Sequence, residues 1–166
     1  LRDHFAVIFS GPSGAGKSTI AELCRQVGMT VLADEMVAVR RHGAGTRVFG
    51  TPFWRGERAT GPAGAIFLLR QATEPRIERV DAQRAVPRLL QAGGAPVALA
   101  DVQQAFFEAL GKILRRVPVY ELSFAQDPGF WNVVDQLPEF GFFRPRPPRT
   151  ASLPVLGQPG SPPKLS

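Results

Sequence analysis

The residues Gly11-Pro12-Ser13-Gly14-Ala15-Gly16-Lys17-Ser18-Thr19 have the types and spacing to hold a chain of phosphates. They fit the pattern G-x-x-x-x-G-K-[ST] at every fixed position. A triphosphate carries several negative charges. A loop whose glycines let the backbone curl can point successive N–H groups at those oxygens, and a helix beginning there adds its dipole. Lys17 is expected to reach the β- and γ-phosphates of ATP, and the Ser18 hydroxyl to sit on Mg²⁺. Asp34 and Glu35 follow at short separation. Moving a phosphoryl group to a hydroxyl needs positioning, charge neutralisation and a carboxylate near enough to take the hydroxyl proton.

These groups need elements to position them. Ala6-Val7-Ile8-Phe9-Ser10 reads as a buried strand entering the glycine loop, and Ile20, Leu23, Cys24 and Val27 recur at helical spacing behind it. The helix is expected over Ser18 to Val27, with Gly28 as its stop. The bland alternative is a glycine-rich turn before an ordinary helix, but the full pattern in a strand-to-helix setting speaks against it. Met29 to Ala33 reads as an apolar strand running into the acids, so the Asp34 and Glu35 side chains should leave opposite faces. Met36–Arg40 and Thr46–Phe49 form an expected hairpin around Arg41–Gly45.

Further along, Ala65–Gln71 is a nearly continuous apolar run, expected as a central strand buried on both faces, and Arg76–Val80 as an edge strand. Asp81 has the character of an N-cap for a helix marked by Ala85, Val86, Leu89 and Leu90, with Pro87 disturbing its regularity. In the next helix the stripe Leu99, Val102, Phe106, Leu110, Ile113, Leu114 is expected to face the core. Val117–Phe124 reads as a strand, and a last short helix should open near Asp127 and run to about Leu137.

The 166 residues, 44% of them hydrophobic, suit one α/β domain over residues 1–140 followed by a Pro/Gly-rich tail over 141–166 that is expected to be disordered. Within the tail, Pro145-Arg146-Pro147-Pro148-Arg149 could pass for an SH3-type ligand, a match that arises cheaply in such composition. The net charge is +6, with 17 arginines spread along the chain and no aromatic interleaving, so a nucleic-acid partner is not expected. A lone cysteine, Cys24, rules out an internal disulfide and reads as a small buried hydrophobe. No apolar run is long enough to span a bilayer, and the expected setting is cytoplasmic, with no membrane partner. The chain opens on Leu1 with a strand almost at once, which points to a fragment lacking upstream structure.

The loop alone does not name a reaction, since Ser10 to Thr19 also resembles the start of guanylate kinases and transporter ATPases, whose later features are not visible here. The separation from Lys17-Ser18-Thr19-Ile20 through Gly28 to Val31-Leu32-Ala33-Asp34-Glu35 resembles that of the HPr kinase/phosphorylase family. Gly50-Thr51-Pro52-Phe53, Gly56-Glu57-Arg58, Ile66–Leu69 and Val117–Phe124 look like divergent members of that group, and the resemblance spans about Phe5 to Val134. It implies a mixed β-sheet with flanking helices and a phosphoenolpyruvate-carboxykinase-like P-loop core. It also implies transfer of the ATP γ-phosphoryl group, with Mg²⁺, to a serine hydroxyl on a protein or peptide, and it leaves a homo-oligomer possible.

By that resemblance Glu35 holds the place of the proton acceptor, one methylene longer than the family's aspartate, and Asp34 lies beside the metal and phosphates. Glu57 would help hold the metal, and Phe53 and Trp54 would be either a substrate platform or core plugs. The family's catalytic histidine precedes the loop strand, and His4 is too close to Lys17 to be it; its late arginine has no counterpart that can be located. Phosphorylase activity is therefore not implied. A non-catalytic nucleotide-binding accessory module, a truncated kinase fragment and a small-molecule kinase stand as alternatives.

Overall fold

The computed structural model describes residues 1, 4–51, 57–93, 100–138 and 140. The expectations for Phe53 and Trp54, for Gly56, for Leu99 and for the tail fall outside these residues. Strand β1 (Ala6–Ser10) leads through the glycine loop into helix α1 (Lys17–Gln26), and a hairpin of β2 (Val37–His42) and β3 (Gly45–Gly50) follows. Next come the long strand β4 (Thr60–Gln71), β5 (Arg76–Val80), helices α2 (Ala82–Gly93) and α3 (Ala100–Leu114), β6 (Val119–Phe124) and the short helix α4 (Phe130–Val134). The molecule is α/β, with a mixed sheet and helices on both faces, as its sequence suggested.

Strand β4 is the spine. It pairs antiparallel with β3 through residues 60–62, parallel with β1 through 63–68 and parallel with β6 through 66–71, while β5 closes the far edge antiparallel to β6. Where both parallel neighbours flank it, β4 is buried on both faces, which explains its unbroken run Ala65-Ile66-Phe67-Leu68-Leu69. Phe9, Phe67 and Tyr120 occupy matched registers on β1, β4 and β6 and stack in a row, with centroids 5.6 and 5.7 Å apart. On that face the sheet packs against Ile20, Leu23 and Cys24 of α1 and Phe130, Trp131 and Val134 of α4. On the other, Ile66, Leu68 and Val119 meet Ala85 and Leu89 of α2 and Ile113 and Leu114 of α3.

Local chemistry sets the ends. Gly28 at φ +78°, with Gly28 N–H donating to Arg25 O and Met29 N–H to Cys24 O, closes α1 in a Schellman motif. Asp81 caps α2 through Arg84 N–H, 2.9 Å from its Oδ1, and the helix continues through Pro87. The hairpin turns on two residues, Gly43-Ala44, and is therefore longer than its polar tip implied.

Two expectations need correction. Residues 29–36 do not form a strand: they run without ladder pairing from Gly28 to β2, bending at Asp34 and Glu35. Residues 29–35 line a cavity together with Val7, Ile8 and Phe9 of β1, so their apolar content reflects cavity lining and not a sheet. The α3 stripe is core only at its C-terminal end, where Ile113 and Leu114 pack against the sheet. None of its described side chains is fully buried, Val102 is 44% exposed, and only its last turn reaches the sheet. The rest of the helix lies beside the hairpin, where Arg116 Nη1 donates to Ala44 O at 2.6 Å.

Candidate functional site

The glycine loop is shaped by two residues in the left-handed region, Gly14 at φ +78° and Gly16 at φ +96°. At Gly16 a side chain is excluded by space as well, because a Cβ would lie 2.7 Å from Cζ of the buried Phe124 ring. Gly11 is similarly tight, a Cβ there falling 2.8 Å from that of Ala15. Ala15 N–H donates to Pro12 O at 3.1 Å, and Gln71 Nε2, at the end of β4, donates to Gly14 O at 2.7 Å. The curl is thus held from inside and from the adjoining strand.

Pro12, Ser13, Gly14 and Ser18 are exposed, whereas Gly11 is buried. Gly16 is the N-cap of α1, no side chain caps the helix, and no acid stands in its first turn. The N–H groups of Lys17, Ser18 and Thr19 begin the helix without intrahelical acceptors, and the positive dipole end is uncompensated. Lys17 Nζ lies over the loop and donates to Gly11 O and Pro12 O, at 2.9 Å each. These arrangements suit an incoming anion.

Beside the loop, a cavity of about 110 Å³ is lined by Lys17, Ile20 and Cys24 from α1, by Trp131, and by the whole connection Met29 to Glu35. At ~30 Å³ per water molecule the space takes a group of a few heavy atoms, not a whole nucleotide. Because Asp34 and Glu35 sit in a bend and not a strand, the opposite-face constraint does not apply: both line this cavity with Lys17. The two acids differ in their surroundings. Asp34 Oδ1 accepts from Arg25 Nη2 at 2.7 Å, with the side chains 19% and 29% exposed. Glu35 is exposed and has no ion pair or side-chain hydrogen bond among the described residues.

Glu57 is exposed and does not line the cavity. Its backbone nevertheless adjoins the acids, since Glu57 N–H donates to Leu32 O at 3.1 Å. Gly50 lies where these segments converge, with space for no side chain: a Cβ would be 2.2 Å from Glu57 O and 2.8 Å from Leu32 O. Sequence reasoning missed Gln71 and Arg25. The signal for Arg25 was its place in the last turn of a helix followed by acids at short range; Gln71 gave none, because its role depends on the parallel pairing of β1 with β4. Among the described residues no group of three or more His, Cys, Asp or Glu could hold a metal ion by themselves. No helix among them is long and apolar enough to cross a membrane.

A scan against models of protein families, a search of curated proteins and a search of solved structures each found no match to this chain.

Proposed function

We propose that the protein transfers the γ-phosphoryl group of ATP to a serine hydroxyl of a protein or peptide, in the manner of the HPr kinases its sequence resembles. The observation that carries this reading is the common cavity: Lys17, at the start of α1, and the acid pair Asp34-Glu35 line one small space beside an uncapped helix start.

The residues present fit the groups such a reaction brings. Amides of the loop and first turn suit phosphate oxygens, and the phosphates draw the Lys17 ammonium from the carbonyls of Gly11 and Pro12. Mg²⁺ is normally held by one or two protein oxygens together with phosphates and waters, so the lack of a protein cage fits it. Ser18 and Asp34 are the residues that would hold it, and it would neutralise charge on the transferring group. Arg25 fixes the orientation of Asp34. Glu35, without an ion-pair partner among the described residues, is the carboxylate available to accept the serine proton.

Calorimetric titration of ATP with Mg²⁺ tests the reading's first half and γ-labelled ATP its second. Lys17→Ala is expected to weaken ATP binding at least tenfold. Glu35→Gln is expected to bind ATP as the unmodified protein does while transfer falls by roughly 10²-fold or more, the usual scale for a general base. Equal transfer by Glu35→Gln would remove Glu35 from the mechanism. Saturable ATP binding with no transfer to any serine would favour the accessory-module reading.

A further inference from the structure

A second concavity lies away from the loop, between the β2–β3 hairpin and α3. It encloses about 430 Å³ and shares no lining residue with the cavity that holds Lys17. Its rim is cationic: Arg40 and Arg41 come from β2, and Lys112, Arg115 and Arg116 from the end of α3 and just beyond. Glu108 is the single carboxylate in the lining, 3.4 Å from Lys112. The other cations have no carboxylate partner among the described residues. Arg41 donates to Gly43 O and Arg116 to Ala44 O, while Arg40 stacks over Phe49 with 4.8 Å to the ring centroid.

The floor has a different character. Val39, Ala105, Ala109 and Ile113 line it, and exposed Val102 continues the same helical stripe beyond it. Small side chains at 105 and 109 leave room for an apolar group to enter from outside.

We propose that this groove docks an acidic peptide segment of a partner protein, with one or more apolar side chains seated on the floor and carboxylates on the arginine rim. The assignment stands on this surface alone and does not depend on the phosphoryl-transfer reading. Charge complementarity excludes the chain's own residues 141–166, which carry three arginines, one lysine and no acid. A nucleic acid fits less well, since no aromatic side chain lines the groove to stack a base and an apolar floor offers nothing to a sugar–phosphate backbone. Arginine forks suit carboxylates bidentately, and a concave apolar floor with a polar rim is the usual anatomy of a peptide site.

The test is fluorescence anisotropy with a labelled peptide of alternating Glu and Leu, its Gln-for-Glu counterpart, and a single-stranded oligonucleotide of equal charge. The acidic peptide is expected to bind at least tenfold more tightly than the Gln counterpart, and less tightly as salt rises. Arg41→Glu combined with Arg115→Glu should weaken it tenfold or more. Ala109→Trp, which fills the floor without changing charge, should weaken it comparably, and Lys17→Ala should leave it unchanged. Circular dichroism checks that each variant is folded. Equal binding of the acidic and Gln peptides, undiminished binding by the charge-reversed or filled variant, or tighter binding of the oligonucleotide than of the peptide would overturn the proposal.

Discussion

At the scale of single residues, the loop depends on two different constraints that meet at Gly16. Its φ of +96° disfavours any side chain, and Phe124 occupies the space a Cβ would need. Gly16→Ala therefore combines backbone strain of ~1–3 kcal/mol with a displaced core ring. Urea denaturation should show a loss of at least that strain, and weaker nucleotide binding should accompany it. Arg25 works differently. It has no hydrogen bond to the loop among the described residues but ties Asp34 to α1 at 2.7 Å, from partly buried positions. Arg25→Met is expected to cost about 1 kcal/mol in stability, near the upper end for an exposed pair because this one is partly sheltered. Its functional effect should be the larger one: slower phosphoryl transfer with ATP affinity changed much less. An unchanged transfer rate would show that the orientation of Asp34 does not matter.

At the scale of elements, the connection between α1 and β2 decides what the acids can do. Its sequence alternates little and reads as a strand, yet it makes no ladder pairing and bends at Asp34 and Glu35 on its way to β2. What local sequence could show were elements whose order comes from neighbours in the chain. The strand into the glycine loop, the Gly28 stop, the Asp81 cap and the doubly buried run at 65–69 all have local signatures. The contact of Gln71 with Gly14 and the outward-facing part of α3 do not, since each depends on neighbours that exist only after the sheet is assembled, whereas the Arg25–Asp34 pair spans nine residues and had a local signal in the last turn of α1. Gly50 is one such long-range point, where the backbones of 32, 50 and 57 converge. Gly50→Ala must push two carbonyls apart and is expected to cost ~1–3 kcal/mol or more, read by thermal or urea denaturation. The same substitution at Gly43, where a Cβ would meet nothing within 4 Å, should cost less despite its positive φ.

At the scale of the whole molecule, charge also sets how stability depends on pH. Near the edge of the sheet, Glu121 of β6 is bridged to Arg88 of α2 and, at 3.5 Å, to Arg70 of β4. Burial alone would raise its pKa, but the two guanidiniums outweigh burial and hold its carboxyl below the ordinary carboxylate range. A carboxyl lowered in the folded state contributes stability that is fully present above its unfolded pKa and is lost as pH falls through the folded value. The protein should therefore lose stability on acidification below about pH 4, and Arg88→Met should flatten that dependence while lowering stability at neutral pH. Urea denaturation at pH 7 and at pH 3.5 measures both effects. The arginine-lined groove and the cavity lined by Lys17 and the acid pair share no lining residue, so the two proposals can be tested apart. Phosphoryl transfer is tested most directly by incubation with γ-labelled ATP and Mg²⁺ over an array of serine-containing peptides and proteins, with Lys17→Ala in parallel. Acid-stable label on serine that disappears in the variant is expected; label transfer that persists in Lys17→Ala, or the absence of any ATP binding by the unmodified protein, would contradict phosphoryl transfer at this loop.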